Sequence, residues 1–424
     1  MSDQQYDLLR YWVANRGDAE DWYRLGCYLQ DRRFWVAATA AFAQCVDRDP
    51  GNFRAMANLG WNAHLSGRSE VGEAWATLAI EIAPDEALPY ALRCQIRMIL
   101  GRDDEAVADG RRAVELDGSS ALNRLSHAFA LLNAGQWRDG WIENEARFPY
   151  KLPDFMQRPH RLWRGERVAH LLIEAEQGAG DAIFALRWLP EAAARADLVS
   201  LYVHTELYAL FGEMGNLDPK VRLYPMPRPL GAGDAWCPMM SLPAALEAES
   251  TLRTGAYIGQ AKTHAPWLPH RPRNVGVCWA GNPTHDMAHH RDMPLAYMLR
   301  LAEVPGITLH SLQVGEGARQ VDDLGAHEIV KDRRPEITNF LDTARIMQSL
   351  DLMISVDTAV AHLAGAMGIP CWLLVNQKGR DYRWGSRISE SRWYASQRLF
   401  RRGFGEDWEP VMDRVADALR KAGA

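Results

Sequence analysis

Residues Asp351–Val375 carry a pattern suited to holding an anion. The apolar run Leu352–Val356 reads as a strand and breaks at Asp357-Thr358. A helix of small residues, Ala359–Met367, follows; Gly368 and Pro370 end it, and a second apolar strand begins at Cys371. Free backbone N–H groups at such a helix start attract negative charge, and open α/β sheets bind ligands at the carboxyl ends of their strands. Thr358 is a good cap for this helix. Its wealth of Ala and Gly leaves room for close approach to the backbone. His362, one turn in, could meet a phosphate or ribose, or simply pack.

This unit needs a parallel sheet to position it, and the surrounding sequence supplies one. From His170 onward apolar runs alternate with helical patterns. His170–Ala175 reads as a strand, Gly178-Ala179-Gly180-Asp181 as a glycine turn, and Ala182–Arg195 as a helix that Asp181 could cap. Leu198–His204 is a second strand and Glu206–Met214 a helix, with short strands at Val221–Tyr224 and Ala235–Cys237. A linker with Pro266, Pro269 and Pro272 leads to a second half. There the strands are Asn274–Trp279, Thr308–Gln313 and a short piece near Glu328–Val330. The helices are Leu295–Ala302 and Ile337–Ser349. Two such halves flanking a cleft suggest a GT-B-type pair of Rossmann-like domains, although alternation alone fits other two-lobed α/β proteins as well.

The first third repeats itself. Gly26, Gly60, Cys94 and Ala128 stand 34 residues apart; so do Cys45, Ala79 and Ala113, and so do Pro50, Pro84 and Gly118. Three registers with one period, paired amphipathic helices and a closing Pro resemble the tetratricopeptide repeat. The spacing predicts three full repeats over about 19–120, with helical material on both sides. Pro50, Pro84 and Gly118 should occupy equivalent turns. Such repeats stack into a superhelix that commonly binds peptides; the plainer alternative is a scaffold for the next domain.

Composition removes several classes. The chain has 424 residues, 47% hydrophobic, with a net charge of −6, which argues against nonspecific nucleic-acid binding. Six scattered cysteines with no Cys-x-x-Cys pair read as reduced core residues, and favour the cytoplasm. No signal peptide and no run of membrane-spanning length is expected. His285, His289 and His290 lack a characteristic ligand spacing, so no metal site is expected. Asp47–Asp49 falls in a repeat linker and is rejected as a metal motif for a sugar donor.

Four segments together resemble the heptosyltransferase-like glycosyltransferases fused behind tetratricopeptide repeats. They are Glu174–Asp181 (EAEQGAGD), Gly276–Pro283 (GVCWAGNP), Leu309–Gly315 (LHSLQVG) and Asp351–Ala366. A fifth piece, Asp381–Trp384 with Ser391–Arg401, also matches. The layout is similar to that of the O-GlcNAc transferases. The resemblance implies sugar transfer from a nucleotide-activated donor without a metal. It makes Asp181, after Gly178 and Gly180, the general base; the plainer role is a cap, and Glu174 or Glu176 could serve instead. It brings Asp357, Thr358, Ala359 and His362 to the donor phosphates, and the loop holding Asn282 and Arg291 to the diphosphate. Asp286 and Asp292 depart from the basic or polar residues that relatives often carry in that loop. It places Ser311 and Gln313 near the nucleotide base. Lys378, Arg380 and Arg383 could supply cations to the leaving diphosphate, or form a solvated surface.

The expected architecture is therefore α + α/β. A tetratricopeptide-repeat superhelix (1–150) precedes an acceptor-side Rossmann-like half (163–265) and a donor-side half (272–424). The expected function is transfer of a sugar from a nucleotide-sugar donor to an acceptor, a protein or peptide held by the repeats. The alternatives are a glycan- or lipid-linked acceptor, and a non-catalytic binding module. No cofactor, nucleic acid or membrane span is expected.

Overall fold

A computed structural model describes residues 17–148, 158–248, 255–259, 273–283, 291–376, 381–386, 388–403 and 405–423. Lys378, Arg380, His285, His289, His290, Asp286 and the prolines of the 260–272 linker lie outside the described residues. Contacts divide the chain into two compact units, Met1–Met156 and Gln157–Ala424.

In the first unit the described helices pair as four hairpins. They are α1 (Ala19–Asp31) with α2 (Trp35–Arg48), α3 (Phe53–Leu65) with α4 (Ser69–Ile82), α5 (Ala87–Leu100) with α6 (Asp103–Leu116), and α7 (Ala121–Ala134) with the short α8 (Trp137–Asn144). This is a tetratricopeptide-like array. Cys45, Ala79 and Ala113 are all completely buried, because only small side chains fit where the helices cross. The second helix of each of the first three hairpins ends in the same way. Asp49, Ala83 and Asp117 close α2, α4 and α6 with φ/ψ of −135°/88°, −134°/73° and −148°/87°. Pro50, Pro84 and Gly118 come next and open equivalent turns. Proline cannot extend a helix because it has no N–H to donate.

A fourth 34-residue register sits within the hairpins. Arg33, Gly67, Gly101 and Gly135 have φ of 64°, 83°, 73° and 85°. Glycine enters this left-handed region freely, whereas Arg33 does so at a cost of roughly 1–2 kcal/mol.

Gly60 shows how tightly the hairpins close. A Cβ there would lie 2.7 Å from the Gly72 carbonyl oxygen, and one on Gly72 would lie 2.6 Å from that of Gly60. Backbone meets backbone at this crossing, so Gly60→Ala must push the helices apart. We expect a destabilisation of roughly 1–3 kcal/mol, read as a lowered helical melting transition by circular dichroism. An unchanged transition would contradict the close crossing. Beside it, α4, α5 and α6 share a largely buried ion network. Arg93 forks onto Asp109 with two bonds of 2.8 Å, and Arg97 reaches Glu73 and Asp109, each at 2.9 Å. Every carboxylate in it is met by a guanidinium, which is what makes burial of these charges tolerable.

The second unit holds two parallel sheets. The first has order β3-β2-β1-β4, with β1 (Val168–Glu174), β2 (Ala196–His204), β3 (Val221–Met226) and β4 (Ala235–Pro238). The second has order β10-β9-β8-β5-β6-β7, with β5 (Asn274–Cys278), β6 (Thr308–Ser311), β7 (Val330–Asp332), β8 (Leu352–Val356), β9 (Cys371–Asn376) and β10 (Gln397–Arg402). Every ladder is parallel. β8 and β9 are buried along their whole length, as expected for strands covered on both faces. The α-helices among the described residues of this unit are α9 (Ala179–Ala185), α10 (Leu189–Ala194), α11 (Thr205–Met214), α12 (Leu242–Ala245), α13 (Leu295–Leu299), α14 (Arg319–Asp323), α15 (Phe340–Gln348), α16 (Ala359–Ala366) and α17 (Trp408–Gly423). These are two Rossmann-like halves. In the second, β5 continues to β6 and β7 on one side while β8 pairs on the other. That reversal is a topological switch point, where parallel sheets open a crevice.

Candidate active site

The loops after β5 and β8 flank this switch point, and Cys278 and Ser355 pair at its last register. Gln313 shapes the β5 loop. Its Oε1 accepts from the N–H groups of Trp279 and Ala280 at 3.0 and 2.9 Å. Its Nε2 donates to the carbonyls of Ala280 and Val314 at 3.0 and 3.1 Å. The amide is thus spent on backbone. Ser311 is fully buried, and its Oγ accepts from the Gln313 N–H at 3.3 Å. Both side chains thus engage backbone at the ends of β5 and β6. Asn282 is exposed. Asp292 accepts from the Gly281 N–H at 2.9 Å.

Thr358 occupies the N-cap position of α16 with extended φ/ψ of −139° and 169°, yet its hydroxyl does not cap the helix. It turns to the Ser355 hydroxyl, 3.2 Å away, and lies 4.0 Å from the Cys278 thiol. The start of α16 is left without a side-chain cap, and the Ala361 N–H turns back to the Thr358 carbonyl at 3.0 Å. Asp357 beside it is buried, with Arg291 Nε 3.7 Å from its carboxylate. That distance is ionic contact rather than a hydrogen bond. Arg291 Nε has no hydrogen-bond partner among the described residues.

The other wall comes from the first half. Asp181 was expected to start the helix after β1; the structure corrects this. Gly178 takes the N-cap with extended φ/ψ of −94° and 167°, and α9 begins at Ala179. Asp181 stands in the first turn, where its Oδ2 accepts the Gly178 N–H at 3.1 Å. Its Oδ1 accepts from Arg383 Nη2 at 2.5 Å. Arg383 is buried and also donates to Asp381 Oδ2 at 3.2 Å. The β1 turn and the segment after β9 are thereby tied across the two halves. Gly180 permits this, since a Cβ there would lie 3.0 Å from the His362 ring and 3.4 Å from Ala359 Cα. Gln177, just before, has φ of 60°, which strains a non-glycine residue at the turn.

His362 is 3% exposed. Its Nδ1 is 2.9 Å from the Tyr394 hydroxyl, and its ring meets Phe184 and Trp384 with centroids 6.0 and 5.2 Å apart. Burial, and then the like charges of Arg383, Arg187 and Arg291, hold its pKa well below the ordinary value, so the ring stays neutral. Of its two expected roles, the packing role fits this placement. Nearby, Arg187 is buried within Phe184, Trp188, Tyr257, Trp393 and Tyr394. It donates to the Phe184 and Trp393 carbonyls, both at 3.0 Å. This cage and the Asp181–Arg383 pair went unread in the sequence; no local pattern marks partners some 200 residues apart.

Glu174 and Glu176, the alternative bases, are both buried. Glu174 is held by Arg158 at 2.6 Å and the Trp236 indole at 3.2 Å, and burial raises its pKa although both partners oppose this. Glu176 accepts the Met240 N–H at 3.1 Å. Among the described residues no cluster of His, Cys, Asp and Glu is placed to hold a metal, and no helix is long and apolar enough to cross a membrane.

Burial also raises the pKa of Asp357; Arg291 opposes this and Asp381 adds to it. A carboxyl raised on folding stabilises the fold below its ordinary pKa, and this is lost as pH rises through the raised value. Asp357→Asn cannot ionise. Its melting temperature relative to the parent should therefore rise as pH increases from about 4 through the raised value. A relative melting temperature that falls as pH increases would show that the fold favours the Asp357 carboxylate.

No family model matches the chain. Protein FlbA of Caulobacter vibrioides is 26% identical over 454 residues, covering 97% of this chain and 74% of that protein. Among solved structures, a mutant of the Thermobaculum terrenum O-GlcNAc transferase covers 95% of this chain and 92% of its own, with 14% identity and a TM-score of 0.34. The first tetratricopeptide domain of Spaghetti (RPAP3), bound to an HSP90 peptide, covers 27% of this chain and 90% of its own, with 19% identity and a TM-score of 0.25.

Proposed function

We propose that the second unit is a metal-independent glycosyltransferase that moves a sugar from a nucleotide-sugar donor to an acceptor held by the repeats, a protein or peptide. One observation carries this reading: Asp181, at the carboxyl end of the first sheet, is paired with Arg383 beside the uncapped start of α16 on the second. A proton acceptor, a cation and a helix terminus meet where two parallel sheets converge. The matching segments support the same reading: Asp181, Thr358 and Arg383 come from three of them.

Each group has a role. The N–H groups at the start of α16, the Thr358 hydroxyl and Arg291 would bind the donor diphosphate. Asp181 would accept the proton of the attacking hydroxyl. Arg383 would meet the charge that develops on the leaving group, in place of a metal. Gln313 would act indirectly, by fixing the β5 loop.

A thermal-shift screen of UDP, GDP, CDP and CMP tests the reading, since a ligand of the native state raises its apparent stability. At least one nucleotide should raise the melting temperature of the second unit, and the shift should shrink in Arg291→Ala. No shift with any of the four would remove the support for a donor site.

A further inference from the structure

We propose that Arg383 couples donor binding to release of the base: it holds Asp181 until a donor diphosphate draws it away. This deepens the glycosyltransferase reading and rests on it.

The hydrogen bonds around Arg383 point this way. Its Nη2 donates to Asp181 Oδ1 at 2.5 Å and its Nη1 to Asp381 Oδ2 at 3.2 Å. Its Nε is buried with no hydrogen-bond partner among the described residues. The guanidinium also lies over the Phe184 and Tyr382 rings, at 4.5 and 5.1 Å from their centroids. A buried donor left unpaired is costly, and a phosphate oxygen is an acceptor that fits a guanidinium. Asp181 is differently placed. Its side chain is 20% exposed against 6% for Arg383, so the carboxylate is the member of the pair nearer to solvent. Its Oδ2 is taken by the Gly178 N–H. Its Oδ1 is therefore the oxygen left for an acceptor hydroxyl, and that hydroxyl must compete with Arg383 for it.

A diphosphate changes this contest. Two anions then compete for one guanidinium, which Asp381 continues to hold from the other side. Once Arg383 turns to the phosphate, Asp181 Oδ1 can accept the hydroxyl proton. The acceptor oxygen bonds to the anomeric carbon, and the bond from that carbon to the phosphate oxygen breaks. Its electron pair leaves with the diphosphate, whose added charge faces Arg383. Donor binding thus precedes exposure of the base, and the chain does not engage an acceptor hydroxyl with an empty donor site.

Calorimetric titration of the full chain with UDP, GDP and CDP, taking forward the tightest, tests this coupling. Asp181→Asn keeps an oxygen for the Gly178 N–H but removes the competing negative charge. Its nucleotide affinity should rise roughly tenfold, the equilibrium weight of one charge-assisted hydrogen bond. Its turnover should fall at the same time, so donor affinity and rate move in opposite directions. The gain should vanish in an Arg383→Lys background, which keeps the charge but loses the fork. An Asp181→Asn variant that binds nucleotide no better than a nucleotide-binding parent overturns the coupling and leaves the glycosyltransferase reading standing. A parent that binds none of the three overturns the coupling, and one that also binds no CMP overturns the glycosyltransferase reading with it.

Discussion

Asp181→Asn should lower sugar transfer by roughly 10²–10⁴-fold while the protein remains folded. The amide keeps the carboxylate's shape and can still accept the Gly178 N–H, which Asp181 holds at 3.1 Å. It cannot take a proton from a hydroxyl. Substitution by the nearby carboxylates is blocked by their own contacts. Glu174 is tied to Arg158 and Trp236, and Glu176 to the Met240 N–H. The measurement is single-turnover transfer from the preferred donor, with the melting temperature as control. A folded variant that transfers sugar at the parent rate would reduce Asp181 to a structural partner of Gly178 and Arg383.

Arg291→Ala and Thr358→Val should each weaken nucleotide binding by about ten- to a hundredfold. A hydrogen bond to a charged group is worth about 1.5–3 kcal/mol, and 1.4 kcal/mol is tenfold in affinity. Both residues sit at the switch point of the second sheet, where Arg291 approaches Asp357 at 3.7 Å and Thr358 leaves α16 uncapped. Thr358→Val is nearly isosteric. It loses the contact with the Ser355 hydroxyl but leaves the helix cap as it was, because that hydroxyl does not cap α16. Full affinity in both variants would place the donor elsewhere.

The sequence made the repeats legible because their geometry is local. A helical hairpin demands a small residue at each crossing and a breaker at each turn, and the 34-residue registers report both. The left-handed turn register was the exception, since Arg33 interrupts its glycines. Strands β5, β8 and β9 were legible as buried apolar runs. Strand β10, Gln397–Arg402, was not, because three arginines break its apolar pattern. The amphipathic helix α17 also went unassigned. The β1 turn was seen, but the helix start was read from Asp181 when Gly178 had already taken the cap.

Side-chain roles at the site were less legible than the backbone that carries them. Gln313 reads from sequence as a ligand at a strand end; what the sequence does not show is that its amide bonds backbone 33 residues away. His362 lies on the helix named from sequence but faces Phe184, Trp384 and Tyr394. Arg383 was readable as a cation. That it pairs with Asp181 depends on the two halves folding against each other, a long-range contact that periodicity does not encode.

Release of nucleotide from sugar donors tests the central claim most directly. The full chain is incubated with UDP-, GDP- and CDP-linked sugars and a pool of serine- and threonine-containing peptides as acceptors, and free nucleotide is followed by chromatography. The proposed site predicts that the parent consumes at least one donor, and that Asp181→Asn and Arg291→Ala lose this activity by different routes. Asp181→Asn should bind the donor and fail to turn it over, whereas Arg291→Ala should bind it poorly. A parent that binds a nucleotide sugar yet releases nothing from any donor would contradict catalysis, and would leave the second unit a binding module with a transferase fold.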